Sequence, residues 1–279
     1  MKQYTVKSSK ISKLESLHNQ LTKYSDYRPN MLKVPKQWNK PNILGNMNTG
    51  GYRGVAAFSP ADVANLFQWY DASDLATITK DGSDRVSQWD DKSSTGLDLT
   101  QATAGNQPLW LSADQNGKDV ISFDSSVRGL FNSTISKAAP FTIFMACKHP
   151  PDGNGTVIVQ VTGTTGGVER IDKQTTNGLF DLVGSLTLNN GTTSKVNTWQ
   201  NNFYIMNGAS SEIDIGGDTA TGTMGASGTW TNFKVNFYSA GEFGGVWKIG
   251  ELIIYDAVIS GTDKTDIQTY LKNKWNTPT

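Results

Sequence analysis

The feature that most constrains this chain is a succession of short runs rich in β-branched and aromatic residues. "DVISFD", "FTIFMAC", "TVIVQVT", "GLFDLVG", "NNFYIMN", "FKVNFYS" and "VWKIGELIIYD" follow one another, separated by Gly, Asn, Asp, Ser and Thr. Such spacing predicts an all-β fold, a two-sheet antiparallel sandwich of jelly-roll type. Alternating strand and helix units are missing, so a parallel sheet is not expected. The exception comes at the end, where Ser260 is placed to cap a helix whose Ile267, Tyr270, Leu271 and Trp275 share one face. That helix is expected to close over the sandwich. In "GELIIYD", Glu251, Ile253 and Tyr255 share one face and Leu252 and Ile254 the other. This pattern suits a strand buried on both sides, with Glu251 needing a partner near the sheet edge.

At 279 residues the chain is long enough to bury a proper core without covalent staples. A single cysteine, Cys147, excludes an intrachain disulfide, and its place in "FTIFMACK" reads as a buried small hydrophobe. No stretch approaches the roughly 20 apolar residues of a membrane span. The opening "MKQYTVKSSK" lacks the apolar centre of a signal peptide. The expectation is therefore a chain made in a reducing cytoplasm, with no membrane partner and no export by signal peptide.

The zero net charge hides a division. Residues 1–53 hold ten Lys or Arg against two acids, a balance of +8, and residues 54–279 hold fifteen against twenty-three, a balance of −8. Within the basic segment, Leu14, Leu17, Leu21 and Tyr24 make one apolar stripe of a short helix, and Ser12 with Glu15 reads as its capping box. A helix this short needs a surface to dock on. From Tyr27 to Arg53 the chain is rich in Pro, Gly and Asn, with isolated apolar residues such as Met31, Val34 and Trp38 spaced along it. It reads as an extended arm that orders by lying across another surface. The expected organisation is thus a basic helix and tethering arm over 1–53 and a sandwich with its closing helix over 54–279.

Several stretches of the second part, taken together, resemble the concanavalin A-like, laminin-G-like jelly-roll modules common in phage virion proteins and bacterial surface proteins. They are "WYDASD" (69–74), "VSQWDDKSSTG" (86–96), Gln101, Gln107 with Pro108, "DVISFD" (119–124), Leu130, "GELIIYDAVIS" (250–260) and "YLKNKW" (270–275). The resemblance implies a two-sheet sandwich but no single activity, because such modules include lectins, hydrolases and structural proteins. Its motifs read as structural: Trp69 is expected in the core, with Asp71 and Asp74 stabilising a turn.

The stretch "SSEIDIGGD", residues 210–218, starts like the Glu-x-Asp-x-Glu strand of β-sandwich glycan hydrolases. A retaining glycosidase needs two carboxyl groups about 5 Å apart. Four and five residues after Glu212 stand Gly216 and Gly217, so the second carboxylate is missing and the segment reads as a strand end with a glycine turn. No other catalytic residues emerge, and the chain is expected not to be an enzyme. His18 and His149 read as ordinary surface residues. Calcium is the one cofactor to consider, with Asp71 and Asp74 as weak candidate ligands in acidic loops. For glycan contact, Trp110 in "NQPLWLS" and Trp230 in "ASGTWTNF" are the candidate rings, because both stretches look loop-like.

The leading expectation is a virion structural protein of a bacteriophage, assembled in the host cytoplasm. Residues Leu14, Leu17, Leu21, Tyr24 and Trp38 would tether it to other virion proteins of capsid or tail, with self-association into a homo-oligomer also open. Nucleic acid is the poorer partner, since the arm's lysines are dispersed among apolar residues. The second reading is a glycan-binding receptor or adhesin module that meets host surface glycans, and the third a polysaccharide hydrolase with an unrecognised site.

Overall fold

The computed structural model describes residues 57–278, except 126, 150–155, 164–167, 174–179, 184–185, 190–196, 226–227 and 237–245. The helix and arm expected over 1–53, with Leu14, Leu17, Leu21, Tyr24, His18 and Trp38, lie outside the described residues.

The first strands are β1 (Leu66–Asp71), β2 (Ile78–Lys80), β3 (Val86–Trp89), β4 (Leu99–Thr100), β5 (Leu109–Gln115), β6 (Lys118–Phe123), β7 (Leu130–Asn132), β8 (Lys137–Ala138) and β9 (Phe141–Lys148). There follow β10 (Thr156–Gly163), β11 (Val168–Lys173), β12 (Phe180–Val183), β13 (Thr187–Asn189), β14 (Trp199–Met206), β15 (Ser211–Ile215), β16 (Asp218–Gly222), β17 (Thr229–Val235), β18 (Trp247–Tyr255) and the closing helix α1 (Gly261–Trp275). They form two antiparallel sheets. The eight-stranded sheet runs β16-β15-β14-β9-β18-β6-β5, with β1 also on β18, and the ten-stranded sheet runs β13-β12-β11-β10-β17-β7-β4-β3-β2, with β8 also on β17. The expected two-sheet sandwich with a C-terminal helix is what forms.

The centre of the eight-stranded sheet is buried on both faces, which is why β9, β14 and β18 carry long apolar runs. In β9, Phe141, Ile143, Met145 and Cys147 point into the space between the sheets, where they meet Leu130, Trp230, Phe233 and Val235. Phe144 and Ala146 point the other way, under α1. Strand β18 changes phase midway. Trp247 and Ile249 face inward, the register shifts between Ile249 and Glu251, and beyond that bulge Leu252 and Ile254 take the inward positions. An extra residue in one strand flips the side-chain alternation, so Glu251, Ile253 and Tyr255 turn toward α1 as their spacing predicted.

Helix α1 closes this outer face with Ile267, Leu271 and Trp275, all buried at a four-residue interval. Full burial contributes about 1.5–3 kcal/mol for each aliphatic side chain. Ser260 stands at the N-cap, but its hydroxyl makes no capping bond, contrary to expectation. The helix ends at Asn276 in the left-handed region, with φ of 50°.

Three placements differ from the sequence expectation. Trp69 is half-buried on the outer face, and Tyr70 is the one that enters the core. A one-residue phase choice decides which of two adjacent aromatics goes inside. Glu251 lies near no edge, because β18 is flanked by β9 and β1. His149 is buried, not superficial: it continues the inward alternation of Cys147, stacks on Trp247 at 5.8 Å and lies 3.0 Å from the Asn202 amide. Cys147 is buried as expected, and burial pushes its thiol pKa far up.

Candidate functional site

The outer face of the eight-stranded sheet carries a buried polar constellation. At its centre is the fully buried carboxylate of Glu251. Its Oε1 accepts from Trp69 Nε1 at 2.7 Å and Tyr270 OH at 2.8 Å, and its Oε2 accepts from Trp275 Nε1 at 2.7 Å. Lys274 Nζ stands 2.8 Å from Glu251 and 2.7 Å from Asp71. Lys92 Nζ bridges Asp71 at 3.2 Å and Asp74 at 2.7 Å while lying 4.6 Å above the Trp69 ring.

Burial raises the Glu251 pKa, with the Lys274 charge working against that rise. Burial also acts to raise Asp71, yet the Lys274 charge, hydrogen bonds from Lys274 and Ser73, and the Lys92 charge prevail and hold its carboxyl below the usual range. The Glu251 oxygens are saturated with donors, so the constellation has the form of a structural lock joining α1 to β1 and β18. Gly250 completes it. A Cβ at that position would stand 2.6 Å from a carbon of the Trp275 ring, so only glycine lets the indole lie flat on the strand.

Beside this lock runs a groove of about 550 Å³ lined by Ala57, Phe58, Asp266, Thr269, Tyr270, Asn273 and Lys274. Its helical wall follows from spacing: residues 266, 269, 270 and 273 recur at three- and four-residue steps, in a stripe next to the buried 267, 271 and 275. The opposite wall is Phe58, whose ring centroid lies 5.9 Å from that of Tyr270 with the planes tilted by 59°. Two local devices hold the walls. "SPAD" folds as a capping box, with Ser59 N–H donating to Asp62 Oδ2 at 2.8 Å and Ala61 N–H to Ser59 Oγ at 3.3 Å. Pro60 O then accepts from Tyr255 OH at 2.9 Å, while Tyr270 is held by Glu251 beneath it. Such a groove can stack a flat apolar face against aromatic rings while the Asp266 carboxylate, Asn273 amide and Thr269 hydroxyl hydrogen-bond to polar edges.

The residues singled out from sequence lie elsewhere. Trp230 is in β17, fully buried and stacked on Phe141 at 3.5 Å, so it is a core residue with no face to offer a ligand. Trp110 is in β5, packed against the core, with Lys80 Nζ 4.4 Å over its ring. Both stretches looked like loops because of their Gly, Asn and Pro, yet both tryptophans sit on strands. Asp71 and Asp74, the calcium candidates, have lysine ammonium groups where a cation would stand. Among the described residues no group of three or more His, Cys, Asp or Glu is arranged to hold a metal ion.

In "SSEIDIGGD", Glu212 pairs with Lys264 at 2.7 Å, and Asp214 accepts from Gly217 N–H at 2.8 Å and Thr219 OH at 3.0 Å. Gly216 and Gly217 have φ of 56° and 98°, the expected glycine turn. The groove's own residues were missed as a site. In the sequence Tyr270 counts with the face of the helix that closes over the sandwich, and Phe58 stands out in no motif. The available signal was the second stripe of α1, polar and aromatic, alongside the apolar one.

No family model and no curated protein sequence matches the chain. Solved structures do share its fold. The Trypanosoma rangeli sialidase in complex with sialic acid is 8% identical with a TM-score of 0.53, covering 77% of this chain and 34% of that one. Domain 4 of AbnA, a GH43 extracellular arabinanase from Geobacillus stearothermophilus, in complex with arabinotriose, is 14% identical with a TM-score of 0.54, covering 73% of this chain and 98% of that one. The binding domain of Paraclostridial Mosquitocidal Protein 1 is 12% identical with a TM-score of 0.54, covering 78% and 54%. This chain therefore spans about a third of the sialidase's length, 34%. At these identities the likeness concerns the fold, a β-sandwich found in carbohydrate-active proteins.

Two expectations change with it. The expectation that the chain is not an enzyme does not stand, because the same fold occurs in a sialidase and an arabinanase, and the loss of one strand motif does not separate the chain from them. The virion reading gains no support, since none of these three is a virion protein and its tether lies outside the described residues.

Proposed function

We propose that the sandwich is a glycan-binding module and that the groove beside α1 holds the sugar. The observation that carries this reading is the pairing of two anchored aromatic rings, Phe58 and Tyr270, with a carboxylate, an amide and a hydroxyl in one stripe of α1. A sugar ring has an apolar CH face and a polar hydroxyl rim, and this arrangement addresses both. Because Tyr270 is already fixed by Glu251, little side-chain freedom is lost on binding. The arabinanase domain solved with arabinotriose supports the reading, since nearly all of that domain matches this sandwich, 98% of its length.

The test is a glycan array probed with the full chain, followed by calorimetric titration of the best ligands. Phe58→Ala should weaken binding at least tenfold, the effect of losing about 1.4 kcal/mol of ring contact. Asn273→Ala, at an exposed position that leaves the fold untouched, should weaken it several-fold. A blank array with folded protein would sink the reading, and undiminished binding by both variants would remove the groove from it.

A further inference from the structure

We infer that the groove accepts uncharged sugars and turns anionic ones away; this rests on the glycan-binding reading above. The charged groups at the groove are unequally engaged. Lys274, on its floor, pairs with Asp71 at 2.7 Å and Glu251 at 2.8 Å and donates to Tyr270 OH at 3.1 Å. Behind it Lys92 is shared by Asp71 and Asp74. Two lysines thus serve three carboxylates, and the floor presents no surplus positive charge.

Asp266 is different. It is exposed on the rim, and among the described residues no hydrogen bond or ion pair engages its carboxylate. The other rim groups, Asn273 and Thr269, are neutral. A sugar carboxylate entering here meets Asp266 with no groove lysine among the described residues left to offset it, whereas a neutral hydroxyl finds an acceptor. Two like charges about 4 Å apart repel by about 1 kcal/mol even in water, about fivefold in affinity, and by more near a low-dielectric wall. Salt weakens this repulsion at an exposed site.

The experiment compares matched pairs on the full chain: a neutral hexose oligosaccharide against the same chain oxidised to uronate, and lactose against sialyl-lactose. Titration at low ionic strength should show the neutral member of a pair bound at least about fivefold more tightly. Asp266→Asn and high salt should each narrow that ratio. Equal or tighter binding of the anionic member, or a ratio that Asp266→Asn does not move, would overturn the selectivity. If the anionic member binds as tightly or more tightly and Phe58→Ala abolishes that binding, the groove still binds glycan and only the charge argument falls. Failure of every member of every pair to bind would overturn the glycan reading, and this inference with it.

Discussion

Glu212 and Glu251 stand on the same outer face of the same sheet, and each receives a lysine from α1, Lys264 in one case and Lys274 in the other. Their surroundings differ. The Glu212 side chain keeps 20% of its exposure and has one ionic partner, with Lys264 also lying 4.0 Å over the Phe203 ring. Glu251 has none of its surface exposed and satisfies two indole N–H groups, a tyrosine hydroxyl and an ammonium. A lysine and a glutamate at a helix–sheet junction can therefore be nearly incidental or can be the joint itself. Desolvation and the number of dependent donors decide which, because a buried donor that loses its acceptor forfeits a hydrogen bond it cannot recover from water.

The sharpest way to break the comparison is Glu251→Ala. It leaves Trp69 Nε1, Trp275 Nε1 and Tyr270 OH without their acceptor and Lys274 with Asp71 as its remaining carboxylate. Loss of one partner from such a buried network should lower stability by about 3–5 kcal/mol in chemical denaturation. A loss below about 1 kcal/mol would mean that the lock is dispensable.

Gly250→Ala attacks the same joint sterically. Three carbons of the Trp275 ring lie 2.6–2.7 Å from where the new Cβ would stand, so the indole must tilt away from its bond to Glu251. Overpacking of this kind should destabilise by about 1–3 kcal/mol, read as a fall in the midpoint of denaturation, and an unchanged midpoint would show that α1 can shift freely. At the other end, Glu212→Gln should change stability by only about 0.2–1 kcal/mol, and high salt should erase the difference. A loss comparable to that of Glu251→Ala would refute the distinction.

Much of the fold was legible. The succession of short apolar runs announced the two-sheet sandwich, the opposed faces of "GELIIYD" a strand buried on both sides, and the glycine pair after "EIDI" its turn. The phase of alternation was harder to place: Trp69 and Tyr70 are adjacent and both aromatic, and only their pairing with β18 decides which enters the core. His149 could have been placed from the sequence by extending the alternation of β9 by one more inward position. The groove was not legible at all, because its walls are Phe58 and the stripe from Asp266 to Asn273, about 200 residues apart in a chain of 279. Trp110 and Trp230 drew the eye by composition, which ranks side chains by chemistry and says nothing of which face of a strand they occupy.

By itself, then, the sequence determined the class of fold, the double burial of the strand that carries Glu251, the apolar stripe of α1 and the need of Glu251 for partners. These follow from local periodicity and from the free energy of burying particular side chains. Only the tertiary structure decided that those partners would be Trp69, Tyr270, Lys274 and Trp275, and that Asp266 would line a groove with two aromatic rings. The physical reason is that antiparallel pairing and helix docking bring distant segments into contact through register, and register is a collective property of the assembled sheets.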